Sequence, residues 1–250
     1  MLEHFKGDEV FVKKILDYKE QAEIKQRLIL TKFLNPHELD IVRKVIGQGD
    51  VVYHEYGGFI NAENKRMIIC PNFYEIEKDD FEVVLVKVNY NDHFGKLAHK
   101  DILGALMNLG INRDCIGDID DKGDLCFACM RSSYEYIRDH LKQIKKSKIH
   151  LELIEKEIEI KREYIQKQFI ISSFRLDKIA SVFYGIPRTK VKSIIASGNV
   201  KVNHKIVEEG SFLCNNKDII SIRHYGRVML VDEERTTKQG NYVVSGYFYK

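Results

Sequence analysis

The chain has 250 residues, 44% hydrophobic and 31% charged, with 3 prolines and 16 glycines. That length suits one large domain or two to three small ones, and the few prolines and glycines exclude a long disordered linker. No run of about 18 apolar residues exists, which excludes a membrane-spanning helix. The net charge of +3 hides an asymmetry: residues 1–140 carry 19 Lys and Arg against 25 Asp and Glu, residues 141–171 carry 8 against 5, and residues 172–250 carry 13 against 7. A basic end on an acidic body points to a polyanionic partner for that end. The start, MLEHFKGDEVF, lacks the basic region and apolar core of a secretory signal, so a cytoplasmic location is expected.

In chain order, the first segment (residues 1–75) is expected to be an α/β domain. Ile15, Ala22 and Leu28 are spaced as on a helix. Asn35 can cap a second helix, with Pro36 at its first position, Glu38 completing a capping box and Gly47 as the stop. VVYHEYGGFIN reads as two strands around a Gly-Gly turn, and RMIIC as a third strand. The second segment (76–165) has the order β-α-β-β-α-β of a ferredoxin-like fold. Its first strand is FEVVLVKVNY. The helix that follows turns Leu97, Ile102, Leu103 and Leu106 inward and stops at Gly110. CIGDID and LCFACM pair across Asp121–Asp124, and Ser132 with Glu135 forms the capping box of a helix carrying Tyr136, Ile137, Leu141 and Ile144 inward. HLELIEKEIEI supplies the last strand. Such folds include RNA-recognition modules that stack bases on aromatics of the central strands, but here those strands offer mainly Phe127 and Tyr90.

Five cysteines are too few and odd in number for a disulfide framework. Cys126 and Cys129 form a C-x-x-C without a second ligand pair, so LCFACM is expected to be a buried strand rather than a metal site. His93, His99 and Asp101 flank the middle helix. With no nucleophile or metal partner in view, capping and backbone satisfaction are expected of them, not proton transfer. No cofactor is implied, because the Gly47/Gly49 pair has no strand before it and no helix after it.

KREYIQKQ reads as a solvated connector or strand edge, and the third segment (170–250) follows it. Ser172 or Ser173 can cap a helix with Leu176, Ile179, Ala180 and Phe183 on one face and Gly185 at its end. Pro187 opens a second helix, with Val191, Ile194 and Ile195 inward and Gly198 as its stop. In VKVN, Val200 and Val202 point one way and Lys201 the other. Two helices on a small twisted sheet are expected to gather Arg175, Arg188, Lys190, Lys192, Lys201 and Arg223 on one side. Lys178, Thr189, Asn203, Lys205 and Arg227 complete the candidate nucleic-acid contacts. About six phosphate contacts would make affinity fall steeply with salt. The plain alternative is that each lysine is an ordinary solvated side chain.

Arg175-Leu176-Asp177, Arg188-Thr189-Lys190, Gly198 to Asn203 and Asp218 to Arg223 together resemble the S-four (S4) domain, the RNA-binding module named after a small-subunit ribosomal protein. The resemblance implies that the basic positions grip RNA and that Asp177 orients the helix pair. Lys217 and His204 stand where that family usually has Gly, which bears on the turns. GGFINAENKR, HFGKLAHKDILGALMNLGIN, RDCIGDI and TTKQG extend the resemblance to the YlmH family over nearly the whole chain, although Asn64 replaces the usual Arg. That resemblance implies an α+β, RNA-recognition-like middle domain. It also implies a non-catalytic, monomeric protein that binds rRNA and tRNA on the large ribosomal subunit in quality control of stalled peptidyl-tRNA. The alternatives are an RNA-modifying enzyme with an appended S4 domain, or an adaptor linked to cell division. A pseudouridine synthase, a tyrosyl-tRNA synthetase and a methyltransferase each need a larger domain or a nucleotide-binding signature that the sequence lacks.

Overall fold

The computed structural model describes residue 5 and residues 7–249. The chain divides into two compact units, Met1–Lys161 and Arg162–Lys250. No helix among the described residues is long and apolar enough to cross a membrane.

The first unit begins with α1 (Glu9–Lys25) and α2 (Pro36–Ile46), packed on an antiparallel sheet of β1 (Ile29–Leu30), β2 (Val51–Tyr56) and β3 (Arg66–Pro71) in the order β1-β3-β2. The capping box forms as expected. Asn35 accepts the His37 and Glu38 N–H groups, and the Glu38 carboxylate accepts the Asn35 N–H. A cap of this kind contributes about 1 kcal/mol. Val12, Ile15 and Ala22 of α1 and Leu39 and Val42 of α2 pack against Met67 and Ile69. Leu28 lies beyond the end of α1 and is partly exposed. β3 is the central strand and is buried along its whole length. The expected hairpin through Gly57-Gly58 does not form. β2 pairs with β3 instead, and residues 57–65 leave the sheet. The reason is close packing: a Cβ on Gly57 would lie 2.5 Å from Ala62, and one on Gly58 would lie 2.9 Å from Leu85.

The same unit continues with β4 (Val83–Tyr90), α3 (His99–Asn108), β5 (Ile116–Asp120), β6 (Cys126–Met130), α4 (Arg131–His140), β7 (Gln143–Ile144) and β8 (Ser147–Ile154). The sheet order β5-β6-β4-β8 is ferredoxin-like, with β7 added at the edge. Val84, Val86, Val88 and Phe127 meet Ile102, Leu106, Tyr134 and Ile137 from the helices. Ser132 does not cap α4, which starts at Arg131 directly out of β6 with no side-chain cap. The inward residues of α4 are Tyr134 and Ile137, while Tyr136 is 47% exposed. Ile144 reaches the core from β7, because the helix has already ended at His140. Cys126 and Cys129 are both fully buried and belong to clusters on opposite faces of the sheet. Strand alternation separates residues three apart, so these two thiols cannot share one metal. Asp101 caps the Ala98 N–H at 3.0 Å, as the sequence suggests.

The second unit holds β9 (Tyr164–Ile171), α5 (Leu176–Tyr184), α6 (Arg188–Ala196), β10 (Val200–Val202), β11 (Lys205–Ile206), β12 (Ile219–Ile222), β13 (Gly226–Thr236) and β14 (Tyr242–Tyr249). These strands form one antiparallel sheet in the order β11-β10-β12-β13-β14-β9. Leu176, Ile179, Ala180 and Phe183 of α5 and Val191 and Ile195 of α6 cover Val200, Val202, Ile220, Ile222, Val228 and Val244. Gly185 and Gly198 close the two helices with φ of +63 and +70. β9 lies upstream of where the sequence suggests this segment starts. It pairs with β14 along its whole length, from Ile171↔Tyr242 to Tyr164↔Tyr249.

Candidate nucleic-acid interface

No serine caps α5. Its N-cap is Arg175, and its first N–H groups are satisfied by a returning loop: Leu176 donates to the Phe212 carbonyl at 2.8 Å and Asp177 to that of Gly210 at 3.1 Å. That contact leaves little room for a side chain on Gly210, where a Cβ would lie 3.2 Å from the Asp177 Cβ. Asp177 itself is fully buried. Arg175 donates to both of its carboxylate oxygens at 3.2 Å, and Arg188 donates to Oδ2 through Nε at 3.1 Å and Nη2 at 2.8 Å. Burial pushes this carboxyl up, but the bonds and charges of Arg175 and Arg188 outweigh it, and the group is held below the usual carboxylate range. Asp177 thus locks the start of α5 to the start of α6. The two guanidiniums still reach solvent, with side chains 36% and 45% exposed. Beside them lies a cavity of about 370 Å³ lined by Ser172, Lys178, Ser181, Arg188 and Asn241 together with Ile170, Ile171 and Val182. The Lys178 ammonium donates to Ser172 Oγ at 2.8 Å.

On α6, Thr189, Lys190 and Lys192 are exposed. Lys190 and Lys192 point about 160° apart around the helix, as two-residue spacing requires. Lys201 is exposed on β10, in register with Ser221 of β12, which in turn faces Arg227 of β13. That row lies on the sheet face opposite the helices, since Val200 and Val202 occupy the helix side. The expected gathering on one side is therefore corrected. Arg175, Lys178, Arg188, Lys190 and Lys192 belong to the helix layer, and Lys201 and Arg227 to the outer sheet face. Arg223 is exposed in the turn after β12, where its N–H donates to the Asn199 carbonyl at 3.0 Å. Among the described residues, Lys190, Lys192, Lys201 and Arg223 have no ion-pair partner.

Asn203 shapes the turn between β10 and β11. Its amide donates to Asp218 at 2.7 Å and its oxygen accepts the Ile219 N–H at 2.8 Å, so both ends of the side chain are engaged within the fold. Lys205 is half-buried on β11, opposite Val202. Where glycine is usual, His204 and Lys217 adopt φ of +70 and +69, so the turns keep their left-handed conformation without it. The sequence reading missed a set of tyrosines. The Arg227 guanidinium lies 4.4 Å from the Tyr249 ring centroid, and Tyr164 packs on Tyr249 and Tyr247 at 4.9 and 6.4 Å. The i, i+2 spacing of Tyr247 and Tyr249 is the signal that places them on one strand face.

Family models describe successive parts of the chain. "YlmH, N-terminal" matches residues 7–74, "Putative RNA-binding domain in YlmH" matches 77–158, and the S4 domain matches 174–220. A Bacillus subtilis (strain 168) protein, "Ribosome-associated protein quality control protein P2", is 33% identical over 247 residues, covering 97% of this chain and 96% of its own. The chain belongs to the YlmH family. Among solved structures, "Cell division protein ylmH from Streptococcus pneumoniae" is similar, with 28% identity and a TM-score of 0.52, over 59% of this chain and 90% of its own. Within this YlmH-family chain the S4 match runs from α5 to β12 and holds the Asp177 clamp, α6 and Lys201. The whole tyrosine set, Tyr164, Tyr247 and Tyr249, lies outside it.

Proposed function

We propose that this protein is a cytoplasmic, monomeric, non-catalytic RNA-binding protein of the ribosome, whose C-terminal unit grips folded rRNA or tRNA. The contacts in this reading are Arg175, Lys178, Arg188, Thr189, Lys190, Lys192, Lys201, Lys205, Arg223 and Arg227. The observation that carries it is the set of cations Lys190, Lys192, Lys201 and Arg223, which have no ion-pair partner among the described residues and all belong to the unit with the S4 match. Cations without carboxylate partners are free to displace counterions from phosphate. The B. subtilis relative is named as a ribosome-associated quality-control protein, which supports association with the ribosome; within this reading the RNA lies on the large subunit near peptidyl-tRNA.

The test is co-sedimentation with ribosomes. Lys190→Glu with Lys192→Glu is expected to abolish it at moderate salt while circular dichroism stays unchanged, because both side chains are exposed. Arg188 is unsuitable for charge reversal, since a Glu there would face Asp177. Undiminished sedimentation of a folded double variant would contradict the reading.

A further inference from the structure

The middle part of the chain matches an RNA-binding model but cannot use the sheet face that ferredoxin-like RNA modules use. Phe127 is fully buried on the helix side of β6. Tyr90 packs into the same cluster, with its hydroxyl accepting the Leu97 N–H at 3.1 Å. On the other face, Leu85, Cys126 and Ala128 are buried beneath Phe33, Phe59 and Ala62. The Phe33 ring lies so close that a Cβ on Gly117 would meet it at 2.7 Å. Over Leu85, Cys126 and Ala128 the stacking face is closed by the chain itself.

The helix side is built differently. A cleft of about 660 Å³ opens between α3, the end of α4 and β7, with Lys100, Lys142, Lys145 and His140 in its wall. The segment 142–148 adds Lys146, and it contains four lysines and no carboxylate within a unit that is acidic up to residue 140; its last lysine, Lys148, turns to the opposite sheet face, since Ile149 and Leu151 occupy the helix side. All four lysines are exposed. Lys145 is paired with Asp101 at 2.6 Å, whereas among the described residues Lys100, Lys146 and Lys148 have no ion-pair partner. Tyr136 stacks on His140, with centroids 4.2 Å apart and planes at 24°, and Tyr136 is 47% exposed. Lysines at phosphate reach beside an exposed flat ring pair suit an unpaired RNA strand. An acidic protein surface would use the lysines but not the rings.

We propose that the middle domain contacts single-stranded or loop RNA on this helix-side surface. Lys100, Lys142 and Lys146 meet phosphates, and the Tyr136–His140 pair stacks a base. This site belongs to the first unit and α6 to the second, so its reading does not depend on that of α6. The test is fluorescence anisotropy of the full chain with a labelled, mixed-sequence single-stranded RNA, in a Lys190→Glu/Lys192→Glu background that silences the S4 surface. Adding Lys142→Gln and Lys146→Gln is expected to lower the slope of log affinity against log salt by about 1.4 for the two lost contacts. Tyr136→Ala is expected to weaken binding about fivefold or more. An unchanged slope and affinity in folded variants would overturn the proposal. So would equal competition by a polyglutamate peptide with no effect of Tyr136→Ala, which would mark an acidic-protein site. RNA binding that survives the background and is lost on adding the lysine changes would support this site, even if the S4 reading failed.

Discussion

Replacing Asp177 with Asn keeps the shape of the side chain and removes the charge that binds α5 to α6. In the native protein the fully buried carboxylate accepts two N–H contacts from each of Arg175 and Arg188, between 2.8 and 3.2 Å. Asparagine offers one oxygen and points an NH2 at a guanidinium, so about half of these bonds are lost and the rest weaken. Hydrogen bonds to charged groups contribute about 1.5–3 kcal/mol each when buried, but half-exposed arginines regain water, so a net loss of about 2 kcal/mol is expected. For a unit of this size that is a fall in melting temperature of roughly 8–16 °C. The unit containing α5 and α6 is expected to melt earlier in calorimetry while the transition of the first unit stays in place. The pH dependence follows the same bond. The folded carboxyl lies below its ordinary value of 3.8, so its contribution is present above that pH and is lost as pH falls through the lower folded value. The wild-type unit should therefore lose stability below about pH 4, a loss the Asn variant does not show. An Asn variant that melted like wild type would refute the clamp.

Two further outcomes follow from the packing. Phe33→Ala is expected to cost about 3–5 kcal/mol in the first unit by emptying the space over Gly117 and Ala128, measurable as a lower urea midpoint, while the S4 surface keeps its RNA affinity. Cys126, Cys129 and Cys214 are pushed up to about 12 by burial, so Ellman's reagent at pH 8 is expected to leave them unreacted in the folded protein and to modify them once urea unfolds it.

The locally encoded parts of the fold were legible. The Asn35–Glu38 box, the apolar face of α5 and the glycine stops at Gly185 and Gly198 depend on neighbours within a turn, and periodicity records them. The ferredoxin-like order was also readable, because each of its elements carries its own pattern. Long-range contacts left no such trace. Nothing local in KREYIQKQ shows that β9 pairs with β14, and nothing in TKFLNPHELD or GGFINAEN shows that Phe33 and Phe59 cover the middle sheet. The split of the cations was partly legible. Alternation already sets Lys201 against Val200 and Val202, and once the valines face the helices Lys201 must face away. The double pairing of Asp177 required three-dimensional placement, as did the exposed stack of Tyr136 on His140.

The most direct measurement is ultraviolet crosslinking of the intact protein to ribosomes, with the attached peptides identified by mass spectrometry. The predicted result is rRNA or tRNA adducts on peptides spanning residues 188–192 and 223–227, which carry Lys190, Lys192 and Arg223. Adducts found solely within residues 5–161, with none in the C-terminal unit, would contradict it.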